Sequence, residues 1–222
     1  MTSLFPNLAE RFPEFMTAIN ETLYMLGLSS LFSVIFGLIL GILLVITADK
    51  GLYENKPVFK ILDSLVNITR SIPFVILIVI LMGVSRFVMG VPYGPKGVIV
   101  PLIAACVPFY ARQVELAFSE VDKGLIEAAN AMGLSKVQII TKVYLKESIP
   151  TIVRSTAIAI INLLGLTASA GVVGGGGIGN FAIRYGHNNN ETDTKIACLI
   201  VIFIIVAIVQ GISDFIIKKT TH

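Results

Sequence analysis

The chain has 222 residues, 55% hydrophobic and only 14% charged, with a formal net charge of +3 and a mean hydropathy of +0.86. A soluble domain carries about 25% charged residues, so long uncharged stretches on this scale mark an integral membrane protein. Cys106 and Cys198 lie in apolar runs, where a thiol behaves as a small hydrophobe, which argues against a disulfide or a metal site. The basic residues are spread singly and no tryptophan accompanies them, so no nucleic-acid partner is expected.

Residues 1–21 mix Phe and Pro with acids and lack the basic start and short apolar core of a signal peptide; they read as an extracytoplasmic lead-in. A first span follows over about 22–47, since no charge lies between Glu21 and Asp49 and about 20 apolar residues cross a bilayer. Within it Gly37 and Gly41 are four apart, a spacing that either lets two helix backbones approach closely or is simply tolerated. After a polar loop the second span covers about 62–82, with Arg70, Ser71 and Pro73 near its first third. An arginine at the bilayer centre costs about 2.5–3.5 kcal/mol on insertion scales, so Arg70 should face helices, water or headgroups. Snorkelling toward the loop and a pore or gating role both fit the trio.

Pro92 to Gly97 form a tight loop before the third span, about 98–118, where Pro101 and Pro108 predict a bend. The fourth span is expected over about 151–170 and the fifth over about 196–217, followed by a cytoplasmic tail, 218–222. Gly174, Gly176 and Gly179 formally match a dinucleotide-binding G-x-G-x-x-G, but an apolar span precedes them where that fingerprint needs a strand. A tight turn or close helix contact at the outer end of the fourth span fits better, with Tyr185, His187 and Asn188 to Asn190 forming an outer-loop surface. Orientation follows from the basic residues. With the N-terminus outside, Lys50, Lys56, Lys60, Lys123, Lys136, Lys142, Lys146, Lys218 and Lys219 fall inside, against Arg11, Arg86, Lys96, Arg184 and Lys195 outside. An outer N-terminus and an inner C-terminus are therefore expected.

Residues 119–150 form the one long polar segment between the apolar groups. Ser119 with Asp122, and Ser135 with Gln138, each match the pattern of a helix start, and Gly133 stands where the first of two short helices should stop. Leu125, Ala128, Ala129 and Met132 recur at helical spacing as a narrow face of small or flexible side chains, with the Glu127 carboxylate beside it. A membrane-surface helix is the alternative, though such helices carry larger apolar residues and more Lys or Arg.

Glu127-Ala128-Ala129 followed by Gly133, Val143, Leu145 and Pro150 resembles the EAA loop of ABC importer permeases, the place where such permeases meet their ATPase. The proline expected beside Leu145 is Lys146 here, while Pro150 stands at a second usual position. Two further stretches, Asn67 to Leu77 (NITRSIPFVIL) and Gly174 to Gly186 (GGGGIGNFAIRYG), look like the methionine-type permeases, and the similarity extends from about Glu21 to the end. The resemblance implies an all-α membrane protein of type I ABC importer fold, with five transmembrane helices and cytoplasmic coupling helices. It also implies ATPase coupling through Glu127, Ala128, Ala129, Met132 and Gly133, and a homodimer in a prokaryotic cytoplasmic membrane. Two ATP-binding subunits, carrying ATP and Mg, and an extracytoplasmic methionine-binding protein are the implied partners. The chain has no G-x-x-x-x-G-K-[ST] loop of its own, so no catalytic role is expected of it. No acid or lysine falls in the middle of an expected span, which disfavours an ion-coupled carrier. A sister importer for another amino acid and a non-transporting scaffold stay open.

Overall fold

The computed structural model describes residues 5–220; the start of the expected lead-in (1–4) and the end of the expected tail (221–222) lie outside the described residues. Short α1 (Pro6–Glu10) leads into α2 (Phe12–Thr47), a helix of 36 residues. Residues 12–21 of the expected lead-in therefore belong to the same helix as the first span. Then come α3 (Lys56–Ser71), α4 (Phe74–Met89), α5 (Gly94–Gly97) and α6 (Ile99–Ser119). The polar segment holds α7 (Lys123–Ala131), α8 (Lys136–Ile139), a π-helical turn (Ile140–Tyr144) and α9 (Leu145–Glu147). The chain continues through α10 (Ile149–Val172), α11 (Gly177–Phe181), a second π-helical turn (Ala182–His187) and α12 (Thr192–Thr220).

Among the described residues four helical stretches are long and apolar enough to cross a membrane: 12–47, 94–119, 149–172 and 192–220. A fifth exists only if α3 and α4 count as one crossing, and these are bent by 111° at the break between them. The segment expected as a single span over 62–82 is thus two helices meeting at a corner. Pro73 explains the corner. It disfavours the helical conformation for the residue before it, and Ile72 is accordingly extended at φ −81° and ψ 123°. α3 is also strongly two-faced, with Lys60, Asp63 and Asn67 on one side and Ile61, Leu65 and Ile68 exposed on the other.

The core is organised on α6. Leu102, Cys106, Tyr110, Val114 and Phe118 recur every fourth residue and are all buried. α2 lies directly along this stripe, and Gly37 and Gly41 are what permit it. A Cβ on Gly41 would stand 2.6 Å from that of Val114, and one on Gly37 would stand 2.8 Å from the Tyr110 ring. The G-x-x-x-G pair therefore serves packing within the chain. α6 continues as one helix through Pro108, and Pro101 sits in its first turn. On the outward faces, Phe32, Phe36 and Ile39 of α2 and Phe203, Ile204 and Ile208 of α12 are exposed, as lipid-solvated surfaces require.

Arg112 fastens α3 to α6. Its guanidinium donates to Asp63 and Glu115 and, at 3.0 Å, to the Asn67 amide oxygen. The side chain is largely enclosed, so these bonds are less screened than a surface pair.

Candidate functional site

At the end of the bundle opposite the N-terminus, α7 to α9 form a compact platform. The first helix start differs from expectation. Ser119 is the last residue of α6 and its hydroxyl donates back to the Leu116 carbonyl, while Asp122 caps α7 by accepting the Gly124 N–H at 2.7 Å. An aspartate beside the new helix supplies both the acceptor and the favourable charge at its N-terminus. The second start is a full capping box between Ser135 and Gln138. α7 stops in a Schellman motif. Gly133, at φ +77°, donates its N–H to Asn130, and Leu134 donates to Ala129 at 3.1 Å.

This geometry divides the expected coupling face. Leu125, Glu127, Ala128, Met132 and Gly133 are exposed, Met132 to 73%, and Glu127 forms no ion pair among the described residues. Ala129 is only 2% exposed and faces inward, so it seats the helix instead of offering contact surface. The platform is tied down on several sides. Ile139 is fully buried, Phe118 stacks on Tyr144 at 5.3 Å, and the Ser148 hydroxyl donates to the Ala117 carbonyl at 3.2 Å. Thr151 donates to Glu120 at 3.1 Å, and the Lys136 ammonium lies 4.6 Å over the Tyr53 ring of the α2–α3 loop. Lys146, standing where the motif proline is expected, continues α9, and Pro150 occupies the first turn of α10, where a missing N–H costs nothing.

Arg70, Ser71 and Pro73 lie at the α3–α4 corner, and all three are exposed. The Ser71 hydroxyl is turned back onto the Asn67 carbonyl at 2.8 Å. The corner borders a cleft of about 290 Å³ whose walls include Arg70, Ile72 and Phe74, with Phe109 from the middle of α6 and Asn162 from the middle of α10. Asn162 escapes motif reading; its signal is a lone amide in the apolar run of the fourth span.

At the N-terminal end, Gly174, Gly176 and Gly177 all have positive φ and reverse the chain between α10 and α11. A Cβ on Gly171 or Gly179 would overlap the backbone of the opposite arm, so the two arms touch main chain to main chain. α2 holds the turn, with the Glu21 carboxylate accepting the Gly177 N–H at 2.7 Å and the Thr22 hydroxyl accepting the Ile178 N–H at 2.8 Å. Tyr185 was expected on an outer surface, but it is only 7% exposed. Its hydroxyl donates to Glu14, which pushes the phenol up, and its ring lies 4.4 Å from the Arg11 guanidinium. It is thus a tie between chain segments. His187 and Asn188 to Asn190 remain exposed. Beside this tie Arg11 bonds to Glu191 at 3.0 Å and the Asn7 amide donates to Asp193 at 2.9 Å, joining the first helices to the start of α12. Burial alone would raise the Glu191 carboxyl, but hydrogen bonds from Arg11, Thr194 and Asn189 outweigh it and hold the group below its usual range.

Residues 33–222, the stretch containing the platform, the corner and the glycine turn, match the binding-protein-dependent transport system inner membrane component family. The chain belongs to that family. It is 39% identical over 207 residues to the probable D-methionine transport system permease protein MetI of Vibrio cholerae, covering 93% of this chain and 92% of that one. It is 44% identical over 212 residues to the methionine import system permease protein MetP of Bacillus subtilis, covering 96% and 95% respectively. Its backbone is similar to that of a chain from an inward-facing MetNI methionine ABC transporter, with a TM-score of 0.92, 35% identity and coverage of 96% and 99%. As an inner membrane component of this family, the chain is a multi-pass membrane protein of the type I importer fold, not an enzyme.

Proposed function

We propose that the chain is the permease subunit of an ATP-driven importer that carries methionine across the cytoplasmic membrane. The substrate rests on the methionine permeases to which it is similar over nearly its whole length. The observation that carries the mechanism is the platform at α7, where Glu127, Ala128 and Met132 stand free for a partner on a segment bolted to both α6 and α10. Two copies of the permease form one path, each seating an ATPase subunit that holds ATP and Mg. ATP binding closes the ATPase pair, the two platforms move together, and α6 and α10 carry the motion into the membrane. Turning a 99:1 preference for one state into 1:99 takes about 5.5 kcal/mol, a load only a rigid, closely seated segment transmits. The basic residues favour an outer N-terminus, which gives the glycine turn and the 187–190 loop to the face that receives a methionine-binding protein.

The test is reconstitution of this chain in proteoliposomes with its co-purified ATPase and the binding protein. Labelled L-methionine uptake that needs ATP and all three components is the expected result. ATP hydrolysis without methionine uptake would move the substrate to another amino acid, and uptake driven by an ion gradient without ATP would end the importer reading. In the same vesicles Glu127→Lys, a charge reversal on a free surface, should lower uptake at least tenfold or release the ATPase while the chain still inserts. Normal uptake by that variant would remove the platform from the coupling path.

A further inference from the structure

The cleft at the α3–α4 corner carries a consequence for how cargo crosses. Arg70 lies beside the middle of α6 and α10, far along the bundle from either end. Its side chain is open to the cleft, and a guanidinium at that level of a membrane-spanning bundle is costly unless it faces water or an anion. Among the described residues Arg70 has no ion pair and no hydrogen bond, and no acid lines the cleft. The acid on the same face of α3, Asp63, is already taken by Arg112. The cleft therefore presents one uncompensated positive charge.

The remaining walls define what would satisfy it. Phe74 and Phe109 supply aromatic surface suited to an aliphatic or thioether chain. Asn162 offers both a donor and an acceptor, able to meet an ammonium. The volume of about 290 Å³ falls just below the range of drug-sized ligand sites, about 300 to 1,000 Å³, as suits a single amino acid.

We propose that this cleft is a subsite for cargo in transit, in which Arg70 takes the carboxylate of an α-amino acid whose apolar side chain lies against Phe74 and Phe109. The guanidinium fork matches a carboxylate in two parallel hydrogen bonds, while the aromatic walls choose against charged side chains. This deepens the importer reading and rests on it.

The experiment is equilibrium binding of labelled L-methionine to the purified permease–ATPase complex without binding protein, with the ATPase alone as the control to be subtracted. Saturable binding is expected, with methioninol, which lacks the carboxylate, failing to compete. Arg70→Gln should weaken binding about tenfold or more, the loss of a charge-assisted pair, with Arg70→Lys intermediate. Ala105→Phe fills the cleft from α6 while leaving the guanidinium in place, and should also abolish binding in a complex that still assembles. Equal binding by wild type and Arg70→Gln, full competition by methioninol, or no saturable binding above the control would each overturn the subsite. Reconstituted wild-type uptake keeps the two readings apart. If uptake is normal while binding ignores Arg70, only the subsite falls; if wild type hydrolyses ATP without importing methionine, the methionine reading falls, and the subsite with it.

Discussion

Gly41 and Gly133 are both glycines of consequence, for opposite reasons. At Gly41 the backbone is ordinary and the constraint is space, because α6 lies where a side chain would be. Gly41→Val should cost about 1–3 kcal/mol through overpacking, seen as a lower unfolding temperature of the detergent-purified protein. At Gly133 nothing lies within 4 Å of a Cβ, and the constraint is the positive φ that closes α7. Gly133→Ala should cost about 1 kcal/mol, with Gly133→Asn milder, and should loosen the α7 end enough to raise ATP hydrolysed per methionine imported. An unchanged ratio would show that the Schellman stop is not needed for coupling. The stop at Gly133 was legible because glycine after a short helix has one common use. The start was less so. Ser119 and Asp122 both suit a cap, and which one serves depends on how far α6 continues, a matter of packing against α10 that no local pattern records.

The elements themselves were largely legible where apolar length decides them, as in α2, α6, α10 and α12. The second span was not, because a hydropathy window averages across Ile72 and Pro73 and hides a corner of 111°. Pairings distant in sequence were equally hidden. Neither Arg112 with Asp63 nor Arg11 with Glu191 has any local signature. The second pair makes a prediction in acid. The Glu191 carboxyl is held below its ordinary value of 4.5 in the folded chain, so its contribution is complete above that pH and is lost as the pH falls below it. Protonation there should free α1 from the start of α12. Hydrogen exchange of the amides of residues 7–11, followed from neutral pH downward and corrected for intrinsic rates, should lose protection below about pH 4.5. In Glu191→Gln the protection should be lower at neutral pH, and the acid loss that remains should come from Asp193, which accepts the Asn7 and Leu8 N–H groups and is likewise held below its usual range. A wild-type profile identical to the variant's would show that this end is held by the Asn7–Asp193 bond instead.

In the whole molecule the tasks are separated along the bundle axis. The glycine turn and its ties stand at one end, the α7 platform at the other, and the Arg70 cleft midway, with α6 and α10 running through all three levels. The sequence announces the ends through motifs, and it marks the middle only through single polar residues, Arg70 and Asn162, whose convergence needs the fold. The cleft and the platform are joined by the same two rods, yet they share no residue. Cargo preference and choice of motor can therefore diverge independently during evolution. A lineage can keep one power source while exploring new nutrients, provided that the spine formed by α2 and α6 keeps its glycines.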